Sequence, residues 1–162
     1  MMIRFISALA AALILALAPV PVLRAEVADK VVKVPGEHDE MNAAIARARA
    51  SLQEFWTAKA NPPEGVDGFA LKVRVTDGDR IEHFWLADIV NEEQAYIGTI
   101  TNTPNVVSNV KQGERHKFTA DQITDWMFMR DGKIVGNETM RPLLKELAPE
   151  EAARFRALLE KP

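Results

Sequence analysis

One stretch constrains the fold more than any other: the hydrophobic period drops to two at Phe69 and holds, with changes of phase, to Thr101. Phe69, Leu71, Val73 and Val75 alternate with Ala70, Lys72, Arg74 and Thr76. Successive strand side chains point to opposite faces, so this pattern predicts a half-buried strand. Asp77-Gly78-Asp79 supplies turn chemistry. Ile81 to Val90 then carries apolar residues at both parities, with Ile81, His83, Trp85, Ala87 and Ile89 on one face and Phe84, Leu86 and Val90 on the other. A strand covered on both sides belongs at the centre of a sheet, so Trp85 is expected to be buried. Asn91-Glu92-Glu93 turns the chain into a third strand from Ala95 to Thr101, completing an antiparallel meander.

The flanks have a different period. Met41, Ile45, Ala48, Leu52 and Phe55 recur at spacings of four and three, which places them on one face of a helix. Asp39 stands at its start, and Asn61-Pro62-Pro63 ends it. Beyond the meander, His116-Lys117-Phe118 reads as a short strand, and Thr119 to Gln122 fits a capping box opening one helical turn. Asp125 to Arg130 and Lys133 to Gly136 read as strands joined by Asp131-Gly132. Thr139 is a candidate cap for a helix to Leu147, and Pro149 opens a last helix through Leu159. The expected fold class is α+β: an N-terminal helix, an antiparallel sheet made of a three-strand meander plus a hairpin, and two C-terminal helices, all on one face of the sheet.

Residues 1–25 read as a secretory signal peptide: Arg4 gives a basic start, Phe5 to Ala18 is free of charge, Pro19 and Pro21 break the run, and Ala25 offers a small residue at the cut, with Ala28 as the other cleavage point. The apolar run is too short for a membrane span, which needs about 20 residues. Residues 26–37 form a polar lead-in whose Val31-Val32-Lys33-Val34 segment is a candidate edge strand, and residues 38–162 form a single domain. The expected compartment is periplasmic or secreted. Removing Arg4 and Arg24 with the leader moves the net charge from −3 to −5. An acidic domain disfavours nucleic acid as a partner. With no cysteine, the domain has neither disulfides nor thiolate chemistry, so burial must supply its stability.

Few residues offer chemistry. Glu82 and His83 are neighbours in a strand and point to opposite faces, so they form no dyad; His83 is a weak candidate base and more commonly a core histidine. His38, His83 and His116 lack metal-ligand spacing, and no metal or other cofactor is expected. Neither Ser51 nor Ser108 has the glycine-flanked elbow of a hydrolase. Asn137-Glu138-Thr139 matches a glycosylation sequon that has meaning only in a eukaryotic secretory host. The densest polar cluster joins Asp125 and Trp126 to Asn137 through Arg141, because the Asp131-Gly132 hairpin brings the two ends together. Two readings follow: an Asp125–Arg141 ion pair pinning the last helices to the sheet, or a notch in which Arg141 holds a small anion. Trp85 and Trp126 are candidate aromatic contacts for a ligand or partner.

The ordered stretches Asp39-Glu40-Met41, Phe69-Ala70-Leu71-Lys72, Glu82-His83-Phe84-Trp85-Leu86, Asn102-Thr103-Pro104, Ile123-Thr124-Asp125-Trp126-Met127 and Gly136-Asn137-Glu138-Thr139-Met140-Arg141 resemble the bacterial family called domain of unknown function 2314. The resemblance covers roughly residues 38–145. It implies a small, often exported α+β domain and supplies no catalytic assignment. The expectation is therefore a periplasmic, non-enzymatic module binding an envelope protein or small ligand. A hydrolase acting on an envelope component, with His83 as base and Arg141 as anion holder, and an inhibitor or immunity-like protein are the alternatives.

Overall fold

The computed structural model describes residues 38–161. The leader and the lead-in lie outside the described residues. Helix α1 (His38–Ala60) is followed by β1 (Val66–Asp77), β2 (Arg80–Glu92), β3 (Ala95–Ile100), β4 (Arg115–Phe118), a 3₁₀ turn (Ala120–Gln122), β5 (Ile123–Arg130), β6 (Lys133–Gly136), α2 (Met140–Leu143) and α3 (Pro149–Leu158). The class is α+β, as expected. All six strands join one antiparallel sheet in the order β4-β3-β2-β1-β5-β6. The meander therefore gains a fourth strand, and the β5–β6 hairpin adds to the β1 side, which leaves β1 and β2 at the centre.

Register fixes what each face carries. Leu71 lies opposite Leu86 and Trp126, and Val73 opposite Phe84. These side chains face α1 and pack with Ala48, Phe55, Phe118, Phe128 and Ile100 into the main core. Trp126 tightens the junction: its indole N–H donates to the Ala48 carbonyl at 2.9 Å. Phe55 makes an edge contact with Phe69, and Trp56 stacks on Tyr96.

The helices do not share one face. Ile134, Leu144 and Leu159 form a second cluster with Met127, Met129, Met140, Leu147 and Phe155. Met127 and Met129 alternate with Trp126 and Phe128, so α2 and α3 cover the side opposite α1. The three methionines, Met127, Met129 and Met140, sit at parities that strand and helix periodicity alone cannot assign to a partner, so the layering is not legible in the sequence.

Two local features depart from expectation. Asp88 has φ 51°, and the β2–β3 register slips between Ala87 and Val90. This bulge reverses the parity. Ile89 joins the core with Phe84 and Leu86, and Val90 turns outward. The α2 helix also spans only Met140–Leu143 rather than reaching Leu147. At the end of β6, Gly136 has φ 79°, and a Cβ there would stand 2.5 Å from the Trp126 carbonyl oxygen. Only glycine lets the chain pass so close to β5 on its way to the 137–139 turn.

Candidate functional site

The sheet face away from α1 carries a row of three side chains at its centre. Trp85 on β2, Lys72 on β1 and Asp125 on β5 are direct cross-strand partners, and such partners point to the same side. The Lys72 ammonium lies 5.6 Å from the centre of the Trp85 indole. Trp85 is only 6% exposed, as a central strand predicts. Its main chain is also held: Asn102 Oδ1 accepts from its N–H at 3.0 Å, and its carbonyl accepts from Thr101.

Asp125 has no exposed surface. Its Oδ1 accepts from the Trp126 N–H at 2.8 Å and the Glu138 N–H at 3.2 Å. Its Oδ2 accepts from the Thr139 N–H at 2.7 Å and the Thr139 hydroxyl at 2.6 Å. Burial raises its pKa above the ordinary carboxylate value; the bonds from Thr139 and Trp126 and the nearby Lys72 charge oppose that rise without cancelling it. The carboxylate thus clamps the turn after β6 onto β5.

The Asp125–Arg141 ion pair does not form. Arg141 Nε donates to Glu138 Oε1 at 2.9 Å, and its Nη2 donates to the Glu160 carbonyl at 3.0 Å. The hairpin brings the backbone N–H groups of Glu138 and Thr139 to Asp125, and those donors fill it. Thr139 does not cap α2, because its hydroxyl serves Asp125 as well. Glu138 takes the central role that had been given to Asp125: its Oε2 accepts from Arg47 Nε of α1 at 2.8 Å, while Oε1 holds Arg141. Burial would raise its pKa, and the two guanidiniums outweigh burial, so the net shift is downward. One carboxylate therefore ties α1, the turn and α2 together. Arg141, occupied by Glu138 and Glu160, is not aimed into a notch, and Trp126 is buried against α1 on the other face.

His83 and Glu82 lie on opposite faces, as strand geometry requires. His83 is half-buried beside Trp85 and is engaged with a partner of its own. Glu82, 3% exposed, accepts from the N–H groups of Asn105, Val106 and Val107 at 2.8, 2.8 and 3.0 Å. At the same end of the sheet, the Ser108 N–H donates to Asp77 Oδ2 at 2.9 Å. The roles of Glu82, Glu138 and Lys72 were missed in the sequence. The one signal was a charged residue within an otherwise apolar strand, which in a soluble sheet demands a satisfied partner.

A shallow concavity of about 570 Å³ runs along Ser108 to Glu114, and none of Asp125, Trp126, Arg141, Trp85 or His83 lines it. Among the described residues, no three His, Asp or Glu side chains converge as metal ligands, and no helix is long and apolar enough to cross a membrane. The arrangement positions backbone and rings, and its hydroxyl–carboxylate contacts, Thr139 to Asp125 at 2.6 Å and Ser108 to Asp77 at 2.9 Å, hold turns in place.

The family model described as "Uncharacterized protein conserved in bacteria (DUF2314)" matches residues 38–159. The chain is 38% identical over 134 residues to the "Uncharacterized protein YegJ" of Escherichia coli strain K12, covering 83% of this chain and 86% of that protein. It is 30% identical over 132 residues to a "Putative ankyrin repeat protein" of Neisseria meningitidis serogroup B, covering 76% of this chain and 52% of that longer protein. No solved structure matches. The family match spans α1, the whole sheet and both C-terminal helices, and the chain belongs to the DUF2314 family of uncharacterized proteins conserved in bacteria.

Proposed function

We propose that this protein is an exported, non-enzymatic module of the bacterial envelope that binds a partner protein. One observation carries the reading: the chemistry-bearing side chains are used up inside the fold, while apolar side chains are presented outside it. Asp125 and Glu82 are buried and filled by N–H and hydroxyl donors. Ile81 and Val90, 52% and 48% exposed, stand on the sheet face away from α1. Scattered exposed apolar residues are common, but a shared face gives a partner something to cover. A hydrolase would need an accessible base and an oriented nucleophile, and the cross-strand neighbour of His83 on β1 is Arg74. Export rests on the composition of residues 1–25.

The test is made in a bacterium that encodes the chain. Fractionation with N-terminal sequencing is expected to place a product beginning at Glu26 or Asp29 outside the cytoplasm. A photo-crosslinking residue at Ile81 or Val90 is expected to give the same adduct with one envelope protein, and none from an outward position on α1 such as Gln53. A cytoplasmic product beginning at Met1 sinks the export half. Equal, diffuse labelling from all three positions sinks the binding half.

A further inference from the structure

We propose that the open edge strand β4 receives an extended segment of the partner protein, with carboxylates at alternate positions set against Arg115 and Lys117. The proposal rests on the partner-binding reading above and names the partner's chemistry. The two edges of the sheet differ. At the β6 edge, Leu159 bridges Ile134, the Glu160 N–H donates to the Ile134 carbonyl at 2.8 Å, and Lys133 Nζ donates to the Ala157 carbonyl at 2.6 Å. The residues after α3 thus cover that edge. At the other edge, β4 pairs with β3 alone among the described residues. An edge strand with unpaired main-chain groups is a template for another strand.

Register decides which groups point outward. The Ile100 N–H donates to the Glu114 carbonyl at 3.0 Å. Gly98 lies opposite His116, and Tyr96 opposite Phe118. Main-chain groups alternate sides along an antiparallel strand, so the Glu114 carbonyl, His116 and Phe118 face β3. Arg115 and Lys117 therefore each turn one N–H and one C=O away from the sheet. Both side chains are exposed, on the sheet face away from α1. Val90, Ile97 and Lys117 are successive cross-strand partners. A strand added beside Lys117 thus extends the row that already holds the exposed Val90.

Charge decides what fits there. Residues directly opposite Arg115 and Lys117 on an added strand share their face, with Cα atoms about 5.5 Å apart. Carboxylates at two alternate positions of that strand meet both cations. A second copy of this chain does not fit. Paired antiparallel about His116, it sets Arg115 against Lys117 twice, and like charges directly opposite destabilise a sheet. His116 itself is half-buried on the α1 side, and burial lowers its pKa against the opposing pull of the Glu114 charge. The middle position of the added strand therefore calls for no charge. Within the chain the two cations are lightly engaged. Lys117 Nζ lies 3.3 Å from Glu92 Oε2, with the two side chains 63% and 50% exposed, and Arg115 Nη1 donates to the Asp88 carbonyl at 3.1 Å. Exposed pairs of this kind contribute little, so an incoming carboxylate competes with Glu92 on equal terms.

The test is amide exchange, read residue by residue by NMR, on isotope-labelled protein purified from the bacterium that encodes it. The probe is the capped peptide Thr-Val-Glu-Val-Glu-Val-Thr, added up to its solubility limit. One control peptide carries lysine for glutamate. The other carries N-methyl groups on both glutamates, which removes the N–H groups that would face β4. With the glutamate peptide, the Arg115 and Lys117 amides are expected to exchange at least about tenfold slower, with the α1 amides unchanged, and each control is expected to slow them less than about twofold. Arg115→Glu/Lys117→Glu, at two exposed positions, is expected to reverse the choice and bind the lysine peptide at least about fivefold tighter than the glutamate peptide. No slowing with the glutamate peptide, or equal slowing with either control, overturns the proposal. Slow exchange in the protein alone overturns it too, assigning the edge to a second copy if it fades on dilution and to another part of this chain if it persists. If the charge-reversed variant does not fold, the peptide comparison in the unsubstituted protein decides. An envelope adduct from Val90 beside an edge that ignores the peptide refutes this inference and leaves the partner-binding reading standing. Peptide pairing without any envelope adduct keeps β4 as the receiving edge and refutes the envelope partner instead.

Discussion

Replacing Asp125 by asparagine changes one atom's chemistry without changing shape, and the consequences can be worked through from its four donors. An amide offers one accepting oxygen where the carboxylate offers two. With that oxygen in the Oδ1 position, the bonds from Trp126 and Glu138 survive, and the new NH₂ faces the Thr139 N–H. The Thr139 hydroxyl can rotate to accept, but its backbone N–H is left buried without an acceptor. With the amide turned over, the Trp126 and Glu138 N–H groups are left instead. An orphaned buried donor costs about 1–3 kcal/mol. Removing the desolvated charge gives part of that back, because burial already works against the carboxylate at this site. The net expectation for Asp125→Asn is a loss of about 2 kcal/mol near neutral pH. Urea denaturation followed by tryptophan fluorescence checks it, with the midpoint lowered and the slope unchanged. A loss under about 0.5 kcal/mol refutes the clamp, since the 137–139 turn would then be held by something else.

Other outcomes follow from single features. Gly136→Ala should cost about 2 kcal/mol or more in the same denaturation assay, because alanine must adopt φ 79° and its Cβ meets the Trp126 carbonyl. A double-mutant cycle between Glu138→Ala and Arg141→Ala should give a coupling of about 0.5–1 kcal/mol, whereas one between Asp125→Asn and Arg141→Ala should stay near zero, apart from what passes through Glu138. The lowered pKa of Glu138 makes a signed prediction. Its contribution is fully present above the unfolded value of 4.5 and is lost as pH falls through the lower folded value, so Glu138→Gln should flatten the acid limb of a stability–pH curve. Trp85→Ala should cost about 3–5 kcal/mol by denaturant titration, and a much smaller loss would mean that the ring packs against little.

Local signals were legible where one element decides its own geometry. The Asp77-Gly78-Asp79 turn, the alternation through Val75, and the Asp131-Gly132 hairpin each carry their information within a few residues, and β1, β2, β5 and β6 formed accordingly. The parity of Ile89 and Val90 was not legible, because the Asp88 bulge puts φ 51° on a residue that nothing adjacent marks. Asp125 and Arg141 were correctly brought into one neighbourhood by the hairpin, but proximity does not say which donors win. Backbone N–H groups in a fixed turn bind first, since they cost no side-chain entropy to place. Glu82 went unread because its partners, Asn105 to Val107, lie more than twenty positions away in an irregular connection whose path no periodicity encodes. The placement of α2 and α3 on the second sheet face escaped for the same reason: the α3 seat on Ile134, Met127 and Met129 depends on where the chain goes after a turn that Asp125 and Glu138 fix.

The central claim is that Asp125 is an enclosed acceptor that organises the fold, not a reacting group open to a ligand. Carboxyl-carbon NMR of the labelled protein, titrated with acid, tests it most directly. The account predicts that Asp125 titrates above the ordinary value of 3.8, because burial dominates its environment, and that the amide shifts of Trp126, Glu138 and Thr139 move with the same midpoint. Between the unfolded and folded pKa values the native state binds the extra proton, so this group alone makes the protein more stable as pH falls through that window. A midpoint at or below 3.8, or titration that leaves those three amides unmoved, would contradict the claim and return Asp125 to the candidates for chemistry.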